Sequence, residues 1–297
     1  MRHAGSMGEE GKRMFTGKTK NLAIMGWPVE HSLSPAMQNA ALARAGLDYA
    51  YIALPVPPES LEKAVAGLKS MGFCGWNVTI PHKTAIMSFL DELDDSAEII
   101  GAVNTVVHRD GKLKGYNTDA AGFLRGLEQA NIDLSGQQVI VLGAGGAARA
   151  VLWGLCKAKA KKIVLGVRNP AKAEALARRF RDLAETEIFG WEEPAFREEM
   201  KKAALLVNTT PLGMAPKTEE MPPVDLSLLP ETAAVYDIIY TPARTRLLRE
   251  AERLGHLTVN GEYMLSGQGA EAFWLWTGRR PDENLMRETL RASLKGN

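Results

Sequence analysis

What the sequence is short of narrows the field before any motif is read. Its two cysteines, Cys74 and Cys156, stand far apart, with no Cys-x-x-Cys or Cys/His cluster near either. They cannot build a disulfide framework or a cysteine zinc site, and they suit a reducing compartment, so a cytoplasmic protein is expected. Neither sign of charge dominates: 36 Lys and Arg face 35 Asp and Glu, for a formal net charge of +1. That balance argues against a protein whose main partner is nucleic acid or an anionic membrane, and neither is expected. No uninterrupted apolar run reaches the ~18 residues of a membrane-spanning helix. The nearest approach, Val139 to Cys156, is broken by four glycines and Arg149. The polar first twenty residues lack the apolar segment of a signal peptide and are expected to form a loosely ordered extension. Gly17-Lys-Thr19 resembles the end of a P-loop, but five residues separate Gly11 from Gly17 and no strand precedes them. Among the five histidines there is no metal-ligand spacing, so no metal is expected.

What is present is an ordinary globular balance: 297 residues, 45% hydrophobic and 24% charged, enough for two domains with real cores. Apolar runs read as strands at 22–25, 49–56 and 73–80, with helices at 35–45 and 60–71. Residues 103–107 and 112–115 predict a hairpin across Asp110-Gly111, and a helix follows from 119 to 130. A second series alternates strands at 138–142, 162–167, 204–208 and 234–238 with helices at 147–157, 171–181 and 245–254. Such alternation implies parallel sheets joined by right-handed crossovers. From Gly261 to Leu294 the pattern is helical only.

The strand Val139-Ile-Val-Leu142 runs into Gly143-Ala144-Gly145-Gly146-Ala147-Ala148-Arg149. Gly143 permits the tight turn, Gly145 lets backbone approach a pyrophosphate, and Ala148 keeps helix and strand close, so a dinucleotide-binding Rossmann unit is predicted. An NAD site wants an acid ~20 residues on. None occurs between Gly143 and Glu174; Arg168 stands at the end of the next strand, with Arg149 and Lys172 as neighbours. A guanidinium can hold a 2′-phosphate through its planar fork, which favours NADP.

The first half carries small polar clusters at predicted element ends: Ser32-Leu-Ser34-Pro35, Asn77-Val-Thr79-Ile-Pro81-His-Lys83, Gly101-Ala-Val-Asn104-Thr105 and Gly115-Tyr-Asn117-Thr-Asp119. Ser34 reads as a helix N-cap with Pro35 in the first turn, and a helix is expected to begin near Pro81. Further on come Asn208-Thr-Thr-Pro-Leu-Gly213-Met214, Asp237-Ile-Ile-Tyr240-Thr-Pro242 and Gly261-Glu-Tyr-Met-Leu-Ser-Gly-Gln268, the last followed by Phe273 and Trp276-Thr-Gly278. With the glycine loop these make eight stretches in one order, and together they resemble the shikimate dehydrogenase family over nearly the whole chain after residue 20.

The resemblance implies reversible reduction of 3-dehydroshikimate to shikimate by NADPH, a step of aromatic amino-acid biosynthesis. It assigns Lys83 and Asp119 as the catalytic pair, Ser32 and Ser34 to the substrate carboxylate, and Thr79, Asn104, Asp119 and Gln268 to ring hydroxyls. Asn77 belongs to the same substrate set, and Tyr240 closes the pocket. On the cofactor side it implies Gly143, Ala144, Gly145, Gly146 and Ala147, then Arg149, Arg168, Asn169 and Lys172 toward the adenosine. Thr209, Met214, Ile238 and Gly261 complete that set, with Met214 by the nicotinamide. The α/β architecture expected is a discontinuous substrate domain with a mostly parallel sheet (21–118 and 256–297), an NADP-binding Rossmann domain (119–255) and an active site in the cleft. Monomer and homodimer remain open. Two departures stand out: Val167-Arg168-Asn169 replaces the family's Asn-Arg-Thr, and Gly269 replaces an alanine and is expected to loosen its helix. The competing readings are a quinate/shikimate dehydrogenase using NAD, a non-catalytic ligand sensor on the same fold and, more distantly, methylenetetrahydrofolate dehydrogenase. A sensor would be expected to lose Lys83 or Asp119, and both are present.

Overall fold

The computed structural model describes residues 15–295. Strands Lys20–Gly26 (β1), Tyr49–Pro55 (β2), Gly75–Val78 (β3), Glu92–Leu93 (β4), Thr105–Arg109 (β5) and Lys112–Tyr116 (β6) form one sheet, in the order β2-β1-β3-β5-β6-β4. Strands Gln138–Leu142 (β7), Lys162–Val167 (β8), Glu185–Gly190 (β9), Leu205–Asn208 (β10), Ala234–Asp237 (β11) and Leu257–Val259 (β12) form a second, in the order β12-β11-β10-β7-β8-β9. The helices are Ser34–Arg44 (α1), Leu61–Ser70 (α2), Asp95–Ile100 (α3), Asp119–Gln129 (α4), Gly146–Lys157 (α5), Pro170–Arg178 (α6), Pro194–Met200 (α7), Arg246–Arg253 (α8), Glu262–Thr277 (α9) and Glu283–Lys295 (α10).

Continuous apolar strands are explained by burial on both faces. Along β7, Val139 and Val141 enter one core while Ile140 and Leu142 enter another; in β1, Leu22 and Ile24 separate in the same way from Ala23 and Met25. The second sheet is parallel throughout. Its strand β7 has β8 on one side and β10 on the other, so the loops leaving β7 and β10 diverge and open a crevice at their carboxyl ends. In the first sheet only part is parallel, because β5 runs antiparallel to both β3 and β6. The β5–β6 hairpin turns at Asp110 (φ 52°) and Gly111 (φ 75°), the left-handed pair its sequence predicts.

Four differences from the sequence reading have physical causes. The strand β9 reads as polar because it is an edge strand, and its Glu187 bonds Lys162 of β8 at 2.8 Å. The short β12 pairs with β11, so residues 257–259 belong to the second sheet although the expected boundary at 256 gave them to the first domain. No α-helix begins near Pro81: residues 80–84 are turns, followed by a 3-10 helix at Ala85–Phe89. The expected extension lies outside the described residues up to position 14, but its end is tied down, with Thr19 Oγ1 donating to Asp48 at 2.8 Å and Lys20 opening β1.

The two sheets meet along α4 and α9. A side chain at Gly122 would put its Cβ 2.3 Å from the Met264 carbonyl, and one at Gly267 would sit 3.0 Å from the Gly122 Cα, so backbone meets backbone. Beyond that crossing, Phe273 and Trp276 of α9 and Met286 and Leu290 of α10 pack into the core under α1. Gly269 faces α1, where a Cβ would lie 2.3 Å from the Met37 methyl.

Asp237 ends β11 with no solvent exposure. Its carboxylate accepts from Thr245 Oγ1 at 2.7 Å, Asn208 Nδ2 at 3.0 Å and the Ile239 N–H at 3.1 Å, tying two loops to the sheet. Burial nevertheless pushes its pKa up to about 6.

Two expectations follow from this packing. Gly122→Ala should cost roughly 1–3 kcal/mol by overpacking, read from denaturant unfolding; an unchanged midpoint would mean the helices can part freely. For Asp237, the folded chain binds the proton more tightly than the unfolded chain, so its contribution to stability falls as pH rises from about 4 to about 6 and then levels off. The stability difference between wild type and Asp237→Asn should therefore shift against wild type across that window. A pH-independent difference would contradict the raised pKa.

Candidate active site

Between the sheets lies a cleft of about 390 Å³. Lys83 reaches it from the turn after β3. That turn is anchored by His82, 1% exposed, whose Nε2 lies 2.7 Å from the Val56 carbonyl, and by the Lys83 carbonyl, which accepts from the Val103 N–H at 2.7 Å. Asp119 arrives from the opposite side as the first residue of α4. Lys83 Nζ donates to Asp119 Oδ2 at 2.5 Å, with the two side chains 31% and 15% exposed. The other carboxylate oxygen accepts from Asn104 Nδ2 at 2.8 Å.

Asn104 is itself fixed. Its Oδ1 accepts from the Thr118 N–H at 2.8 Å and from Thr105 Oγ1 at 3.0 Å, and its backbone carbonyl accepts from Asn77 Nδ2 at 3.1 Å. These buried amides and hydroxyls satisfy one another, which is how so much polarity survives under the cleft.

All nine residues expected on the substrate side line this cleft: Ser32, Ser34, Asn77, Thr79, Lys83, Asn104, Asp119, Tyr240 and Gln268. Ser34 does not cap α1. Leu33 holds the N-cap position with no side-chain cap bond, while the Ser34 N–H donates to Ser32 Oγ at 3.3 Å. The reason is that Ser34 already lies in the helix, so its hydroxyl is released from capping. Gln268 Nε2 donates to the Leu265 carbonyl one turn back at 2.9 Å. Burial raises the Tyr240 phenol above its ordinary range.

Of the expected cofactor residues, Ala147, Ile238 and Gly261 line the same cleft. Gly261 must be glycine, since a Cβ would stand 2.0 Å from the Ile238 carbonyl oxygen. Gly143 has φ +100°, and a Cβ there would crowd Thr209 Oγ1 at 2.9 Å, while Thr209 bonds the Leu142 carbonyl at 2.7 Å. Beyond Ala144, Gly145 is the N-cap of α5, with no side-chain cap and no acid in the first turn, and both Gly145 and Gly146 face open space. This is a free helix N-terminus of the kind that receives a pyrophosphate, so the cradle fits a dinucleotide.

Arg168, Asn169 and Lys172 lie exposed at the start of α6, and Asn169 Oδ1 caps that helix from the Lys172 N–H at 3.4 Å. Arg149 reaches the carbonyl of Ile100 at 3.5 Å. Met214 is 48% exposed on the loop after β10. Sequence reasoning missed His31 and Leu265, which also line the cleft, and Tyr51 beneath it. Leu265 shares a helical face with Gln268, a signal that was available; Tyr51 lies in an apolar strand with no motif. Among the described residues no His, Cys, Asp and Glu group could hold a metal ion, and no helix is long and apolar enough to cross a membrane.

Comparison with known proteins agrees along the chain. Family models match at residues 24–106 (shikimate dehydrogenase substrate binding domain), 126–190 (shikimate / quinate 5-dehydrogenase) and 261–291 (shikimate 5'-dehydrogenase C-terminal domain). Shikimate dehydrogenase (NADP(+)) of Methanothermobacter thermautotrophicus is 46% identical over 283 residues, 95% of this chain and 99% of that one. The crystal structure of shikimate 5-dehydrogenase from Listeria monocytogenes, in complex with shikimate and NAD, superposes with a TM-score of 0.90 at 36% identity, over 94% of this chain and 99% of that one. The Thermus thermophilus enzyme in complex with NADP(H) and shikimate gives 0.82 at 40% identity, over 92% and 99%. Likeness at this level across almost the full length of both partners decides the matter: the chain belongs to the shikimate dehydrogenase family.

Proposed function

We propose that the protein catalyses the reversible NADP-dependent interconversion of 3-dehydroshikimate and shikimate, a step toward the aromatic amino acids. The observation that carries this is the Lys83–Asp119 pair, set among hydroxyl- and amide-bearing side chains in the cleft that Ala147, Ile238 and Gly261 border. When bound, NADPH supplies the hydride. The residues of the chain manage the ring and one proton. As a ring ketone becomes an alcohol its oxygen gains negative charge, and the Lys83 ammonium is placed to stabilise that charge and deliver a proton. Asp119 aims the ammonium and Asn104 holds Asp119, so little rearrangement is left for the reaction itself. Ser32 and Ser34 suit the substrate carboxylate, while Asn77, Thr79, Asn104 and Gln268 suit ring hydroxyls. A site paired this way penalises any analogue that leaves a polar group without a partner.

For the cofactor, the glycine cradle and α5 N-terminus suit the pyrophosphate, with Thr209 and Met214 toward the nicotinamide. Arg168, exposed at the end of β8 with no acid following Gly143 before Glu174, favours a 2′-phosphate. We assign the protein to the cytoplasm, which its two unpaired cysteines suit.

The deciding assay compares shikimate and quinate as substrates with NADP+ and NAD+ as acceptors. Shikimate with NADP+ should be fastest. Faster turnover of quinate, or equal rates with NAD+, would move the assignment to a quinate/shikimate dehydrogenase. In the same assay Lys83→Ala should lower kcat by about 10²–10⁴-fold, with a much smaller change in KM for shikimate. An unaltered kcat would remove Lys83 from the chemistry.

A further inference from the structure

Tyr51 lies on β2, an edge strand of the first sheet, yet it is only 2% exposed. Three other elements hold it. From α1, Asn39 closes both of its backbone groups: Oδ1 accepts from the Tyr51 N–H at 3.0 Å and Nδ2 donates to the Tyr51 carbonyl at 2.7 Å. From α9, Trp276 packs against the ring, with centroids 5.9 Å apart. On β3, Asn77 Oδ1 accepts from the Tyr51 hydroxyl at 2.6 Å. Burial raises the pKa of that phenol well above its ordinary value, so it keeps the proton it donates.

The consequence falls on Asn77. Its Nδ2 hydrogens are both committed, to the Asn104 carbonyl at 3.1 Å and to Thr105 Oγ1 at 3.0 Å. An amide so placed can offer the cleft only acceptor capacity on Oδ1. The Asn104 carbonyl, which can only accept, sets that orientation, and the Tyr51 hydroxyl donating to Oδ1 holds the amide in place. Were the amide reversed, Nδ2 would meet the phenol and Oδ1 would face a carbonyl that cannot donate.

We propose that Tyr51 is a positioning residue, holding the Asn77 amide in place as a hydrogen-bond acceptor for a substrate hydroxyl. The proposal rests on reading the cleft as the shikimate site. It makes Asn77 selective for a substrate hydroxyl that donates, and it brings the edge strand β2 into ring recognition without any direct contact.

Tyr51→Phe preserves shape and removes one oxygen. It should raise KM for shikimate, and the Kd for shikimate by calorimetry, roughly tenfold. The kcat and the KM for NADP+ should each stay within about twofold, a split that a general loss of structure would not produce. In an Asn77→Ala background, the same substitution should add less than about twofold, because its main partner is already gone. An unchanged KM and Kd in Tyr51→Phe would overturn the proposal. So would a matching rise in the KM for NADP+, or equal effects in both backgrounds. If wild type itself failed to oxidise shikimate, the functional reading would fall instead, so the two failures are distinguishable.

Discussion

The contact between Gly122 of α4 and Gly267 of α9 sets the geometry of the whole cleft. Two helices that touch through glycines can cross with their backbones almost in contact, and here a Cβ on Gly122 would lie 2.3 Å from a carbonyl and 2.8 Å from the Gln268 N–H. Asp119 lies one turn before Gly122 and Gln268 immediately after Gly267, so the crossing fixes both relative to one another. It also joins the cores, since Phe123 and Leu127 of α4 pack beside the second sheet while Phe273 and Trp276 of α9 pack beside the first. A larger residue at the crossing would change packing and site together.

On that frame the chemistry is built from buried polar groups that define one another. Asn77, Asn104, Thr105 and Thr118 are all nearly inaccessible, and each has its hydrogen-bonding capacity directed by a neighbour. Leaving any one of them unpaired would cost about 1–3 kcal/mol, so the network has few alternative arrangements. Asp119 inherits this rigidity through Asn104, and Lys83 inherits it through Asp119. The lysine keeps its outer surface toward the cleft, where a charge developing on a substrate oxygen would appear.

The parts of this that were legible in the sequence are those in which one residue type has one physical meaning. Gly143 needs a positive φ, Asp110-Gly111 needs two, and a four-residue apolar run such as Val139-Ile-Val-Leu142 needs cover on both faces. Elements whose stability comes from distant partners were not legible: β9 looks polar until Lys162 is beside it, and β12 is three residues that form only because β11 is there. Ser34 failed for a related reason. A serine before proline favours a cap, but the chain enters α1 one residue earlier, and the hydroxyl is left for the cleft. The membership of the site came from resemblance. Its internal logic, that Asn104 holds Asp119 and Tyr51 holds Asn77, required side chains far apart in the chain to be seen together.

The two ends of the cleft are prepared in opposite ways, and the difference suits the chemistry of the ligands proposed for them. Toward the substrate, side chains already bond one another and leave a limited set of donors and acceptors free, which suits a small ring whose hydroxyls must be told apart. Toward the cofactor, α5 begins at Gly145 with no side-chain cap, whereas α6 and α8 in the same half are capped by Asn169 and Thr245. Glycine at an N-cap costs only a few tenths of a kcal/mol relative to the best capping residues. It leaves the first N–H groups and the positive end of the helix dipole unscreened and open to close approach. An anion that could ligate a whole helix terminus gains more from that opening than the chain loses by keeping it. A near-neutral protein can therefore hold a highly charged dinucleotide by backbone at one point and a few cations around it, without a basic face.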